Sequence, residues 1–405
     1  MVNHNQENNP PELYAQSQHK IKIEQIDSHA REIINNLNNS GFKAYLVGGC
    51  IRDMVLNKNP KDFDVVTEAT PEQIRKAIPK SRIIGRRFKL VHVRKGRKIT
   101  EVSTFRSRGG KKTSKTNKGI VLRDNFYGTI KEDAFRRDFT INSLYLNITD
   151  MKIIDYTGGF KDLNNRQLSC IGDSRLRLRE DPIRIIRAVR FMCNLNLKLK
   201  KSLKKDLINF AHLLQDIPPA RRYEEILKLF LTGNAKNNFI TLLEFNILKY
   251  LLPFTAKQCS NEKNKFFILN ALSSSDARIK KDLPLTPSFL FSVLLWPSLT
   301  ERIGDINSNK MKLPILLRAS NIVLKQCRQD CFVPKRIENM IKEIWEFQIK
   351  LLKFPPKSEL IYSHRRFRAG YDFMLLREEV GVNLGGAGKW WKENQPKSKR
   401  SYKKK

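Results

Sequence analysis

Gly48-Gly49-Cys50-Ile51-Arg52-Asp53, followed by Lys61-Asp62-Phe63-Asp64-Val65-Val66, is the stretch that decides how the first part of this chain is read. Ala44 to Val47 is a short apolar run ending in the glycine pair, a strand and then a tight turn. Residues 50–57 resume a helical pattern, and Phe63 to Thr67 reads as a second strand. Glycines permit the turn and the close approach of backbone N–H groups to a phosphate. The helix that follows offers its N-terminus to the same anion. The two-residue period of a strand puts Asp62 and Asp64 on one face, with Phe63 turned to the core. Two carboxylates side by side repel unless a cation neutralises them. Mg²⁺ is suited to the task, because it takes a few carboxylates together with substrate phosphates. GG alone and DxD alone are weak signals. In the order strand, GG, helix, DxD strand they are specific, and a solvated strand edge beside an ordinary turn is the weaker reading.

A two-metal site calls for a third acid. Glu101, in Thr100-Glu101-Val102-Ser103-Thr104-Phe105-Arg106, lies on an alternating strand. Asp138 lies in Arg136-Arg137-Asp138-Phe139-Thr140-Ile141-Asn142-Ser143-Leu144. Both stay open as candidates. A surface carboxylate is the competing reading for Glu101, and an ion pair with Arg136 or Arg137 for Asp138.

Further along, residues 179–191 read Arg-Glu-Asp-Pro-Ile-Arg-Ile-Ile-Arg-Ala-Val-Arg-Phe. Glu180 or Asp181 can cap a helix with Pro182 at its first position. Ile183, Ile186 and Val189 make an apolar stripe, and Arg184, Arg187 and Arg190 step along a neighbouring face. Asp181 and Arg184 are three apart, so they can present an acceptor and a donor together. That pair matches the Watson–Crick edge of adenine or cytosine and mismatches guanine and uracil. It does not separate ATP from CTP, and a plain surface salt bridge competes with it.

Around these motifs the chain is mixed α/β up to about residue 150. A helix is expected over 25–39, Pro71 opens another, and 88–94 with 98–105 form a hairpin around Lys95-Gly96. Residues 107–119, polar and basic, read as a mobile loop. From Glu180 on, the pattern is helical. Residues 1–24, with Pro10-Pro11, read as a mobile polar tail. Lys397 to Lys405 carries six Lys/Arg in nine residues and reads as disordered.

Composition bounds the partners. The 405 residues imply two to three domains, and 40% are hydrophobic, too many for a disordered chain. The net charge is +37, from 77 Lys+Arg against 40 Asp+Glu. Such an imbalance calls for a polyanion, since each phosphate contact releases counterions. RNA, DNA and an anionic membrane surface fit the charge equally. No apolar run approaches the ~20 residues of a membrane span, and no basic amphipathic helix stands out, so no membrane partner is expected. The polar N-terminus is no secretory signal, and six cysteines without a CxxC pair fit a reduced, cytoplasmic setting.

GGxxRD, DxD, EVxTFR, RRDFTIN and EDPxRxxRAxRF, in this order over about residues 44–195, resemble the class II tRNA nucleotidyltransferase/poly(A) polymerase family. The resemblance implies an α+β nucleotidyltransferase (polymerase-β-like) N-terminal domain followed by an all-α C-terminal half. It implies a tail at 1–24, a catalytic head at 25–160, neck helices for nucleotide recognition and RNA binding at 161–235, an RNA-binding helical body and leg at 236–393, and a basic tail at 394–405. Asp62 and Asp64 match the metal-binding carboxylates, two Mg²⁺ ions with Mn²⁺ as a substitute. Asp138 matches a third active-site aspartate, and Glu101 another acid near the metals. Gly48, Gly49, Arg52, Asp53, Arg137 and Asn142 fall to the nucleotide site. Glu180, Asp181 and Arg184 match the base-recognition motif, which Arg187 and Arg190 extend.

Two activities share those motifs, CCA addition to tRNA and poly(A) synthesis. The stretch Asp216-Ile217-Pro218-Pro219-Ala220-Arg221-Arg222-Tyr223-Glu224-Glu225 resembles the poly(A)-polymerase branch, as do Pro334-Lys335-Arg336 and Arg366-Phe367-Arg368-Ala369-Gly370-Tyr371-Asp372-Phe373. The expectation is a monomer that transfers AMP from ATP to RNA 3′ ends, bound largely through backbone phosphates, in mRNA processing and decay. Trp390 and Trp391 are candidate stacking platforms for RNA, or else core. A CCA-adding enzyme and an inactive RNA-binding module are the rivals.

Overall fold

The central strands are built from wholly apolar or β-branched runs. Ala44–Val47 (β2) and Asp64–Thr67 (β3) pair antiparallel, and both are buried along most of their length. Around them forms a sheet of eight strands. The others are Glu12–Tyr14 (β1), Ser81–Ile84 (β4), Leu90–Lys95 (β5), Lys98–Thr104 (β6), Leu144–Asn147 (β7) and Lys152–Asp155 (β8). Their order is β1-β8-β7-β2-β3-β6-β5-β4. All pairs are antiparallel except β3 with β6. The structure, a computed structural model, describes residues 9–85, 89–107, 126–304, 306, 312–356 and 358–394.

Helix Ser28–Asn39 buries Ile33, Ile34 and Leu37, and its first N–H groups are held by the Asp27 carboxylate. Helix Pro71–Ala77 starts with proline at the first position, and Thr70 with Gln73 closes a capping box. The hairpin over β5 and β6 turns at Lys95 and Lys98. These elements match the expectations.

The first residues do not. Residues 9–24 were expected to form a tail, yet Glu12–Tyr14 adds an edge strand to β8, with Leu13 opposite Ile154. Tyr14 packs on Phe160 with ring centroids 4.2 Å apart, and Ile21 is 1% exposed. His19 bonds through Nε2 to the Met151 carbonyl at 2.8 Å. A three-residue strand has no periodicity of its own. Its partners lie some 140 residues away in the chain, so no local signal announces it.

The chain divides into two compact units, residues 1–210 and 211–405, and the division falls inside the expected neck segment 161–235. The first is the α+β part. It holds the whole sheet and the helices Ser174–Glu180 and Ile183–Leu195. In the second, among the described residues, every regular element is helical. Its helix Pro287–Ile303 is apolar on all sides, buried from Ser288 through Leu299, as befits a central helix. Gly370 sits where a Cβ would lie 2.4 Å from that of Phe347. Trp391 is fully buried and donates through its indole N–H to the Leu351 carbonyl at 2.7 Å. It is core and not a stacking platform. Trp390 is half-buried against Trp391 and Phe354. The basic segment from residue 108 and the tail from 395 lie outside the described residues. Among those described, no helix is long and apolar enough to cross a membrane.

Candidate active site

Every residue proposed for the site from sequence lies in the first unit. The register explains why several of them meet. Val47, the last residue of β2, faces Asp64, the first of β3. The turn at Gly48 therefore stands beside Asp64. Gly48 has φ 77° and ψ −123°, a backbone that favours glycine. Its N–H donates to the Leu144 carbonyl at 3.1 Å and extends the sheet. So Gly48 shapes the turn, and its N–H is not offered to a phosphate as expected. Gly49 opens helix Gly49–Val55, and its N–H belongs to the orphan donors of the first turn.

β3 and β6 run parallel with Val65 opposite Val102, so Asp64 and Glu101 stand level and side by side. β3 begins at Asp64, leaving Asp62 on the approach to the strand, and both aspartates are exposed. Phe63 is only half-buried. Although the residue as a whole is exposed, local desolvation of its carboxyl and the charges of Glu101 and Asp62 push Asp64 up to about 6, against a lowering pull from Arg137. Among the described residues neither Asp62 nor Asp64 has a side-chain hydrogen bond or ion pair. Exposed oxygens that crowd like charge fit a hard divalent cation. Still, no group of three His, Cys, Asp or Glu among the described residues is preassembled to hold a metal.

Asp138 is set differently. Its Oδ2 accepts from Arg187 Nε at 2.5 Å, and its Oδ1 from the Phe139 N–H at 2.9 Å and Asn142 Nδ2 at 3.4 Å. Burial alone would raise this carboxyl; Arg187 outweighs it and holds it below the usual range. The partner is Arg187, not the adjacent Arg136 or Arg137. Those two arginines converge on Asp133, a buried carboxylate that the sequence reading passed over. Arg136 Nη2 reaches its Oδ1 at 2.6 Å, and Arg137 Nη2 and the Tyr145 hydroxyl reach its Oδ2 at 2.9 and 2.7 Å. Burial would raise Asp133, but Arg137, Arg136 and the tyrosine bring it down to about 2. Anchored there, Arg137 sits near Gly48 and donates to the Asn142 carbonyl at 3.4 Å.

Asn142 is a hub. Its Oδ1 accepts from Arg52 Nη1 at 2.7 Å. Arg52 also pairs with Asp53, Nη2 to Oδ1 at 2.7 Å. The guanidiniums of Arg52, Arg187 and Arg190 all lie over the ring of Phe191, at 5.3, 5.3 and 5.2 Å. Phe139 meets the same ring edge-on. Phe191 therefore joins its own helix, Ile183–Leu195, to helix Gly49–Val55 through Arg52.

In the base-reading segment, Asp181 ends helix Ser174–Glu180 and accepts from the Ile183 N–H at 3.3 Å, capping the next helix. Arg184 does not turn to Asp181; its Nη1 goes to the Arg177 carbonyl at 2.5 Å and to Glu180 at 3.3 Å. Arg177, nearly buried, grips Glu180 at 2.6 Å and donates to the carbonyls of Arg136 and Arg137. It ties this helix to the Arg136-Arg137-Asp138 segment. Sequence pattern could not separate Arg177 from its exposed neighbours Arg175 and Arg179.

Residues 44–169 match the model of the poly A polymerase head domain. Residues 196–259 match the "probable RNA and SrmB-binding site of polymerase A", and 308–405 the "polymerase A arginine-rich C-terminus". A poly(A) polymerase I from Salmonella typhi is 38% identical over 397 residues, 95% of this chain and 85% of that protein. One from Escherichia coli O6:H1 is 39% identical over 392 residues, 93% and 84%. A CCA-adding enzyme from Lactobacillus delbrueckii is 35% identical over 219 residues, 54% of each chain. Among solved structures, the Bacillus stearothermophilus CCA-adding enzyme in complex with CTP matches with a TM-score of 0.61 and 25% identity, over 90% of this chain and 80% of its own. The chain belongs to the bacterial poly(A) polymerase I family of RNA nucleotidyltransferases.

Proposed function

We propose that this chain transfers AMP from ATP to the 3′-hydroxyl of RNA without a template, releasing pyrophosphate, as a cytoplasmic monomer in mRNA processing and decay. One observation carries the choice over CCA addition. In sequence, likeness to poly(A) polymerase I runs through 95% of the chain at 38% identity, whereas the Lactobacillus delbrueckii CCA-adding enzyme matches over 54% of it, although the fold is shared more widely.

Asp62 and Asp64, with Glu101 beside them, would hold the divalent ions, two Mg²⁺ or Mn²⁺, which when bound neutralise charge on the triphosphate and acidify the attacking hydroxyl. The protein's own part is positioning and charge. Arg52 and Arg137, both hydrogen-bonded to Asn142 and near the Gly48-Gly49 turn, would supply cationic groups to the phosphates. Asp138 orients Arg187 and acts through it, and Arg190 shares the Phe191 platform. Glu180, Asp181 and Arg184 face the base, with Glu180 holding the Arg184 fork and Asp181 supplying the acceptor. No covalent intermediate is needed.

The test is an assay of the pure protein with ATP alone and with CTP alone, on an unstructured RNA and on tRNA lacking its 3′ end. Long A-tracts on the unstructured RNA are expected. Short additions confined to tRNA, using CTP as well, would assign CCA addition instead.

A further inference from the structure

Glu101 has a neighbour on the side away from Asp64. β5 and β6 pair antiparallel with His92 opposite Glu101, and β4 and β5 pair antiparallel with Arg82 opposite His92. Joined to the level pairing of Glu101 with Asp64, this makes one row across four strands: Arg82, His92, Glu101, Asp64. Members of such a row share a face of the sheet, with Cβ atoms about 5 Å apart. Val91 and Val93 turn to the other face and are buried. A single histidine in an alternating strand reads as an ordinary half-buried residue. Only the pairing of β5 with β6 sets it beside the acid.

The contact is close but not yet made. His92 Nε2 lies 3.5 Å from Glu101 Oε1. That nitrogen is shut off from solvent and, among the described residues, makes no hydrogen bond. A buried donor calls for an acceptor. Arg82 offers donors alone, so Glu101 is the acceptor that the row provides. Closing the gap to about 2.9 Å is a small rotation for a glutamate whose side chain is 56% exposed. Glu101 gains from it as well. Among the described residues its carboxylate has no other side-chain partner, and ordering such a side chain costs rotamer entropy when a cation is shared with Asp64. An N–H on one oxygen orders the carboxylate in advance and leaves the second oxygen free. Carboxylates that ligate metals are held this way by residues outside the ligand set, and losing such a residue costs about 10–100-fold in metal affinity.

We propose that His92 is a positioning residue for the cation site, donating from Nε2 to Glu101 so that this carboxylate stands ready beside Asp64. This rests on the reading of Asp62, Asp64 and Glu101 as the acids that hold the divalent ion. The test uses the full chain and Mn²⁺ without nucleotide, with the free ion read by electron paramagnetic resonance. H92A should bind Mn²⁺ roughly tenfold more weakly than the wild type. H92Q, which keeps an N–H donor at the place of Nε2, should recover most of that affinity. In an E101A background H92A should cost nothing further, because the carboxylate through which it acts is gone. Should H92A melt early, H92L, which fills the space without a donor, takes its place. A plain cross-strand pair would move the melting temperature and leave Mn²⁺ affinity where it was. D62A/D64A checks the ion-site reading separately. With Mn²⁺ binding lost in that variant, wild-type affinity in H92A and H92L overturns the role of His92 alone. An equal loss from H92A with and without Glu101 overturns it as well.

Discussion

The first unit contains two kinds of carboxylate site within one framework. Where the start of β3 meets the middle of β6, Asp62, Asp64 and Glu101 crowd their charges on an open surface, and local desolvation of its carboxyl with that repulsion pushes Asp64 up. One layer away, Asp133 and Asp138 are enclosed by arginines and held down. Arg137 touches both settings, as an ion-pair partner to Asp133 and as a distant pull on Asp64. The difference separates roles. Asp133 and Asp138 are neutralised by arginines of the protein, and Asp62 and Asp64 are not.

Substitution should break the two groups in opposite ways. D62A/D64A should cost about four orders of magnitude in turnover, the several kcal/mol that ions at such a site supply. Its melting temperature should stay level or rise, because like charges are removed. D133N should do the reverse, losing about 2–4 kcal/mol of stability because the half-buried Arg136 and Arg137 lose the buried counter-charge on which they converge. Thermal melts of both variants beside activity measurements read this directly. A D62A/D64A protein that melts early while keeping its turnover would erase the distinction.

Asp133 also sets a pH dependence. Its folded carboxyl lies near 2, below the ~3.9 of an unfolded aspartate. Its contribution is present above about 4 and is lost as pH falls through that window toward 2. Wild-type melting temperatures should therefore drop across this range more steeply than those of D133N. Parallel curves would show that Asp133 is not the titrating group.

The smallest effect is expected at Phe191. F191A removes the ring beneath Arg52, Arg187 and Arg190, at about 0.5–1 kcal/mol for each cation–π contact. Steady-state kinetics should show kcat/KM for ATP falling roughly tenfold. F191Y, which keeps the ring, should recover most of it. Equal losses in both variants would point to packing rather than to the cations.

Much of this was legible from the residues, and what was not has physical reasons. The strand, glycine turn, helix and DxD order is local, and each step carries its own period or turn chemistry. Asp62, Asp64 and the Gly48 turn therefore came out together. Glu101 and Asp138 stayed open, because the parallel pairing of β3 with β6 and the reach of Arg187 to Asp138 both span long stretches of chain. Asp133 lies between Lys131 and Arg136 and has the look of a surface acid. Only the packing of Tyr145 against it shows otherwise. Phe191 read as one more apolar residue of a helix, since Arg52, one of its three cations, comes from another helix far back in sequence. Trp391 and the strand at Glu12–Tyr14 were hidden in the same way, by partners that only the fold supplies.

The central claim is that the exposed pair holds the cation. Mn²⁺ titration followed by electron paramagnetic resonance, on the wild type and on D62A/D64A without nucleotide, tests it most directly. Saturable Mn²⁺ binding by the wild type, lost in D62A/D64A, is the predicted result; equal binding by both proteins would contradict it.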